Sequence, residues 1–408
     1  MSSRIRRPSR PGTPTRGRYL VRNPLWNAWL RAQDSLLEIR GRGRAGSASP
    51  TPRHVLLCVG GQLGDAVIAT SIIPAMRAAI PGVEIGVLCG SWSGRIFAAH
   101  PAVARVHIAD HWKTSRSERW LPWRWLHWRR TRARALAEIR AAAYDAAIDL
   151  SPYYPNAARV LRDARIPIRV GFTSGGEGSL YTHPLAWTSG RHVTGDHLAL
   201  LDALLARTGA APTPLPYDVP APTPAQVANA NRRLAEAGVT PGDYVVVHVG
   251  AGLPQKEWPV ARWMQVVRAL ASRGMRVVLT GAGSRQAAFT RAVSSAASGV
   301  VDLCDRLGWE EFHAVVRQAA VVVTVDTVTM HLASAADVPC VAIVTAIDDP
   351  QRWRPPGEHV TQLTATVPCA PCYLSRGCAE MSCIRDVTAD AVLAAVLEYL
   401  PASLIARG

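Results

Sequence analysis

At 408 residues the chain has room for two to three domains with cores of their own. A hydrophobic content of 48% with 19% charged residues excludes an extended, disordered chain, and no uninterrupted apolar run is long enough to cross a bilayer as a helix. The formal net charge of +16 is spread unevenly: twelve arginines precede the first convincing strand, opposed only by Asp34 and Glu38, which points to polyanions such as anionic lipid, phosphorylated glycolipid or nucleic acid.

Residues 1–53 form a basic leader. Its first 17 residues are rich in Arg, Pro, Ser and Gly and are expected to be disordered. They lack the apolar segment of a secretory signal, so the protein is expected to stay in the cytoplasm. Asn23-Pro24 can open a helix with Leu25, Trp26, Trp29, Leu30, Leu36 and Leu37 near one face. Two readings stand for it, an interfacial membrane helix or a helix packed on its own domain. Residues 41–52 read as a linker.

Residues 54–60 (HVLLCVG) predict the first strand, running into Gly60-Gly61-Gln62-Leu63-Gly64-Asp65 and a helix over 66–80 that Pro81-Gly82 ends. A second strand follows at 83–89. Strand, glycine-bearing loop and helix make the opening βαβ of a Rossmann-like domain, although the spacing is not GxGxxG and no nicotinamide signature follows. Gly64 permits close approach to the backbone. Asp65 has two readings: a helix cap, or a carboxylate kept ionised by the helix amides and able to take a proton from a hydroxyl.

Between 105 and 150 the α/β alternation continues around an insertion in which Trp112, Trp120, Trp123, Trp125 and Trp128 interleave with Lys113, Arg116, Arg119, Arg124, Arg129, Arg130, Arg132 and Arg134. Tryptophan among arginines suits a headgroup interface, an anionic saccharide or single-stranded nucleic acid; a solvated, partly packed hairpin is the alternative. Strands are expected at 144–150 and 169–172, and a flexible loop at 171–178. The Pro-rich run 210–224 is the best domain boundary.

Beyond it a helix is expected at 225–237 and a strand at 244–249. Then come Gly250-Ala251-Gly252-Leu253-Pro254-Gln255-Lys256, Trp258-Pro259 and a helix through Leu270. A strand at 275–280 ends in Gly281-Ala282-Gly283-Ser284, so this is a second Rossmann-like half. Lys256 is a diphosphate clamp or a surface lysine. The run at 321–324 predicts a strand buried on both faces, ending in Asp326-Thr327; a small-residue helix carries Met330 and His331, and 340–344 is the next strand. Ligands bind at that edge of parallel sheets, where helix amides meet an anion. Asp326 is otherwise a cap, and His331 otherwise a satisfied internal histidine.

Gly64-Asp65 ahead of Pro74 and Pro81, Lys256-x-Trp258-Pro259, and Asp326-Thr327-x-x-Met330-His331-Leu332-Ala333 ahead of Pro339 together resemble glycosyltransferase family 9, the ADP-heptose:lipopolysaccharide heptosyltransferases, over residues 54–400. The resemblance implies an α/β chain of GT-B fold, with two Rossmann-like domains facing across a cleft. The acceptor domain would be 54–215 and the nucleotide-sugar domain 225–386, with a last helix in 387–408 crossing back onto the first domain. It implies transfer of heptose from ADP-heptose to a lipopolysaccharide-core or related glycolipid, with inversion and with no cofactor required for catalysis.

In that reading Asp65 is the base and Lys256 neutralises the leaving diphosphate. Gly250, Gly281, Ser284, Asp326, Thr327, Val328 and His331 line the donor site; Gly64, Trp123, Arg124 and Arg129 serve the acceptor. The implied partners are a nucleotide sugar, an anionic glycolipid and the inner face of the cytoplasmic membrane; nucleic acid is not expected. Three departures from the family stand out: Val328 stands where glycine is usual, Thr345 does likewise, and Ser284, Arg285 and Gln286 occupy the region of an expected acidic residue near the ribose. The departures keep a second reading open, a catalytically silent binder of sugar nucleotide or glycan. Cys369, Cys372, Cys378 and Cys383 could bind Zn or Fe as thiolates or remain free thiols. In heptosyltransferases that modify autotransporter proteins the resemblance implies a structural iron, which makes a protein O-heptosyltransferase a further variant.

Overall fold

The computed structural model describes residues 19–20, 23–39, 52–115, 117, 119–207, 214–374 and 376–400. The disordered start expected over 1–17, most of the 41–52 linker, Arg22 and Arg116 lie outside the described residues. The described residues divide into two compact units, one within 9–220 and the other within 221–408.

The first unit runs α1 (Pro24–Ile39), β1 (His54–Val59), α2 (Leu63–Ala69), α3 (Ile72–Ala79), β2 (Glu84–Cys89), α4 (Gly94–Ala98), β3 (Val103–Ile108) and α5 (Leu121–Ala142). It continues β4 (Ala146–Asp149), α6 (Ala158–Asp163), β5 (Ile168–Phe172), β6 (His183–Leu185) and α7 (Val193–Leu204). Its six strands are all parallel, in the order β3-β2-β1-β4-β5-β6. Five of the six residues of β1 are buried, as suits a strand covered on both faces by crossover helices. The helix expected over 66–80 is two helices, α2 and α3, meeting at Thr70-Ser71.

Two further expectations change here. The stretch 171–178 is not a flexible loop. It is the end of β5 followed by two tight turns, 173–175 and 178–180, with Ser174, Gly175 and Glu177 buried, and Glu177 is bonded to Gln33 and Arg159. The Trp/Arg insertion, for which a partly packed hairpin was the alternative reading, is a turn at 112–114 leading into the 22-residue α5, opened by Pro122 and ended by Ala143 in the left-handed region (φ 50°). Only its second half buries residues, Ala135, Leu136 and Ile139.

The second unit runs α8 (Pro224–Glu236), β7 (Tyr244–His248), α9 (Val260–Ala271), β8 (Arg276–Thr280), α10 (Ser284–Ser294), β9 (Val300–Asp302) and α11 (Trp309–Arg317). Then come β10 (Val321–Val325), α12 (Val328–Ala335), β11 (Cys340–Ile343), β12 (Val360–Leu363), α13 (Ser382–Arg385) and α14 (Ala389–Tyr399). Thr223 opens α8 with a capping box to Gln226, just after the Pro-rich run. The strand order β12-β11-β10-β7-β8-β9, all parallel, repeats that of the first sheet. Every residue of β7 and β10 is buried, the β-branched runs VVV forming the sheet centre. Trp258 and Trp263 meet edge to face at 4.9 Å, and the Trp258 indole donates to the Val387 carbonyl (3.0 Å). The last helix, for which a return to the first domain was expected, has Val392, Ala395 and Val396 in the core of the second unit.

Candidate active site

Both sheets have the strand order in which the chain reverses direction of winding between the first and fourth strands, and loops at the C-terminal ends of those strands leave a crevice for ligands. In the second unit these are the loops after β7 and β10. Lys256 ends the first of them in a 3-10 turn and Asp326 begins the second. The Lys256 ammonium lies 2.6 Å from Asp326 Oδ2, with both side chains partly open to solvent. Thr327 caps α12, its hydroxyl accepting from the Thr329 amide at 3.3 Å and lying 3.2 Å from the Thr324 hydroxyl. Val328 is the first helical residue of α12. Its backbone is therefore not one that demands glycine, and the departure costs no strain. His331 is buried one turn further on, and Thr345 is buried just beyond β11.

Gly250 and Gly281 stand at the ends of β7 and β8, where the Gln286 side chain passes between them. A Cβ on Gly250 would lie 2.1 Å from Gln286 Cδ, and one on Gly281 2.9 Å from its Oε1. That oxygen accepts the Ala282 amide at 3.0 Å. Arg285 donates to the Ala251 carbonyl at 2.8 Å and pairs with Glu257 at 2.9 Å. Burial pushes the Glu257 carboxyl up, against the pull of Arg285. Ser284, at the start of α10, is exposed on the same edge. From sequence, Arg285 and Gln286 were read only as standing where an acidic residue is expected near the ribose, and Glu257 was not singled out. The two glycines were the available signal, since each marks a place where something must approach closely. His248, at the end of β7, lies 2.9 Å from the Thr280 hydroxyl, and burial lowers its pKa to about 4, so it is neutral near pH 7.

In the first unit the equivalent reversal lies between β1 and β4. Asp65 is the third residue of α2, and its Oδ2 accepts the Gln62 amide at 2.6 Å. It is thus a cap, and it is half-buried rather than enclosed. Gly61 is forced by that bond, because a Cβ there would sit 2.2 Å from Asp65 Cγ. The loop is braced by the Trp92 indole on the Gly61 carbonyl (3.0 Å) and by the Gln62 amide group on the Thr114 carbonyl (2.9 Å). Arg124, from α5, donates to the carbonyls of Trp112 and Ser115. Trp123 is exposed, and Arg129 lies 4.7 Å over the Trp125 ring. The structure thus brings the start of α5 to the same edge as Asp65, with Arg124 engaged in holding the turn between them. At the sheet edge behind, Asp149 is fully buried; burial raises its carboxyl to about 6 against bonds from Tyr181, Ala157 and Ser151.

The four clustered cysteines line one cavity of about 220 Å³ in the second unit, beside Ala346 and Met381. Cys369 and Cys378 are exposed, Cys372 half-buried and Cys383 buried. Thiols suit zinc or iron. Among the described residues, however, no three His, Cys, Asp or Glu side chains are disposed to hold one ion. As placed, the cluster does not fit a metal.

A family model described as "Glycosyltransferase family 9 (heptosyltransferase)" matches residues 132–382. Lipopolysaccharide heptosyltransferase 1 of Pseudomonas aeruginosa is 28% identical over 334 residues, covering 78% of this chain and 86% of that protein. Lipopolysaccharide heptosyltransferase 3 of Escherichia coli is 26% identical over 311 residues, covering 74% and 86%. Among solved structures, a glycosyl transferase of family 9 from Veillonella parvula superposes with a TM-score of 0.70 at 16% identity, covering 89% of this chain and 100% of that one.

Proposed function

The chain belongs to glycosyltransferase family 9, with the GT-B fold, and on that premise we propose that it moves a heptose from ADP-heptose to a phosphorylated lipopolysaccharide-core or related glycolipid, with inversion. The observation that carries this reading is the Lys256–Asp326 pair at the reversal point of the second sheet, on the loops that meet a bound nucleotide in such folds.

In the reaction an acceptor hydroxyl attacks the anomeric carbon from the face opposite the diphosphate. Asp65 takes its proton, the new C–O bond forms, and the bond to the diphosphate breaks with its electron pair passing to ADP. Lys256 and the first amides of α12, where Thr327 and Val328 lie, meet the charge that develops on the leaving oxygens. Asp326 holds the ammonium in place and accepts from sugar hydroxyls. Gly250, Gly281 and Ser284 border the adenosine, and His331 backs the pocket. Gly64 gives the acceptor access to Asp65, with Trp123 and Arg129 reaching its anionic sugars and Arg124 setting the turn between.

The test is a panel of nucleotide sugars with deacylated lipopolysaccharide core as acceptor, read by release of nucleoside diphosphate. Turnover is expected with ADP-heptose, and Asp65→Asn should slow it about a hundredfold or more while ADP still binds. Failure of every nucleotide sugar would sink the proposed donor. Full turnover by Asp65→Asn would remove that residue from the role of base.

A further inference from the structure

We propose that α1 and the first half of α5 form one docking face for an anionic phospholipid surface. The inference goes beyond the transfer reaction and stands without it. Nine large apolar side chains are exposed among the described residues; three of them lie on α1 and four more within residues 120–125.

On α1 the inward seam is satisfied. Leu30 and Asp34 are buried, and the Trp26 ring lies 5.5 Å from that of Tyr154. A second face carries Leu25, Trp29, Ala32 and Leu36, spaced by four, three and four residues and therefore aligned along the helix, with Trp29 at its margin against the Trp26 and Tyr154 rings (4.9 and 5.9 Å). Leu25 is 80% exposed and Leu36 58%. A helix with one apolar stripe packed and a second left open has an unpartnered face.

The two helices belong to one surface because both rest on the segment after β3. Lys113 of that segment sits 4.0 Å over the Trp26 ring of α1. His111 meets the Trp128 ring of α5 at 5.0 Å, and Arg124 of α5 holds Trp112 and Ser115 by their carbonyls. Trp120 (73% exposed) and Trp123 (60%) stand at the open end of α5.

Charge selects the occupant. From Arg119 to Ala137 there are six arginines and no acidic residue, and Arg119, Arg129, Arg130 and Arg134 are exposed. A second copy of the chain would bring the same arginines against themselves. Single-stranded nucleic acid would stack on the tryptophans but has nothing to place against Leu25 and Leu36. A bilayer of acidic phospholipid meets both demands: indole rings and leucines enter the headgroup boundary while guanidinium groups hold lipid phosphates. Among the described residues no helix is long and apolar enough to cross the membrane, so the contact is with its surface.

The full chain would be floated with phosphatidylcholine vesicles and with vesicles containing phosphatidylglycerol, at low and high salt and with no nucleotide sugar present. Binding is expected to phosphatidylglycerol vesicles and to weaken at least tenfold in high salt. Leu25→Ser with Leu36→Ser, and separately Trp120→Ser with Leu121→Ser, should each lower vesicle binding at least fivefold while leaving turnover of a water-soluble acceptor unchanged. Arg119→Glu with Arg130→Glu should do the same by charge alone, which covers the case in which a serine variant folds poorly. No flotation with acidic vesicles would overturn the proposal. So would binding that none of the three variants weakens, or single-stranded DNA that displaces the vesicles at equal phosphate concentration.

Discussion

An ammonium 2.6 Å from a carboxylate, as at Lys256 and Asp326, is a lysine whose long side chain has been fixed in direction before any ligand arrives. In water such a partly exposed pair adds little stability. Its worth is orientation, since a charge already aimed at the leaving group need not reorganise during the reaction. Lys256→Met is accordingly expected to lower kcat about a hundredfold, and Lys256→Arg to recover part of it, as measured by initial rates of ADP release. An unchanged kcat in the methionine variant would take Lys256 out of its proposed role. Lys256, Asp326 and Asp65 were proposed from sequence because each lies on the segment that follows a strand, at the edge where parallel sheets bind ligands. The bonds made by Gln286 and by the Arg285–Glu257 pair were not readable, because they tie one loop to another, and the partner is fixed only once β7 and β8 lie side by side.

At the scale of elements, α1 was visible as an amphipathic helix, but its partner was not. That partner is the turn at 173–180, more than a hundred residues away. Asp34 accepts the Glu177 amide through Oδ1 and the Tyr19 hydroxyl through Oδ2, each at 2.7 Å, and Gln33 donates to the Glu177 carboxylate at 2.6 Å. Leu30 fills the space over Gly176, where a Cβ would come within 2.6 Å of its Cδ2. Removing the Asp34 carboxylate takes away the acceptor of the buried Glu177 N–H. Asp34→Ala should therefore cost about 1–3 kcal/mol in urea unfolding and speed hydrogen exchange along α1 ahead of the sheet. Equal exchange rates in the two proteins would mean that α1 is held by apolar contacts alone. The length of α5 was also hidden, for a plain reason. Its first half packs almost nothing, so the 3.6-residue apolar period that marks a helix begins only at Ala135.

For the whole molecule, pH sets opposing demands. Burial lowers the imidazoles of His111, His248 and His313 to about 4, with Lys113 and Arg317 adding to the effect at the first and last. Each is charged more readily in the unfolded chain, so the stability it contributes is present above its ordinary pKa of 6.5 and is lost as pH falls from there through 4. Asp149 acts the other way. Raised to about 6 by burial, it favours the folded state below its ordinary 3.8 and loses that contribution as pH rises through 6. Three imidazoles outweigh one carboxyl, so Tm is expected to fall on acidification from pH 6.5 to 4.5. Asp149→Asn should steepen the fall. A flat or rising profile would show that the histidines take up protons without unfolding.

The buried valine runs and the Pro-rich break made the α/β class and two-part division readable from the chain alone. The order of the strands was not readable, because a single sequence states which segments are strands but not which lie side by side.

Neither sheet borrows a strand from the other: each set of six closes on segments from its own side of residue 220. In the proposed division, with nucleotide recognition in one half and the acceptor in the other, each site stands on a sheet built from its own segments. Donor and acceptor preference can then drift separately, and one chain architecture can serve many pairings of sugar and target.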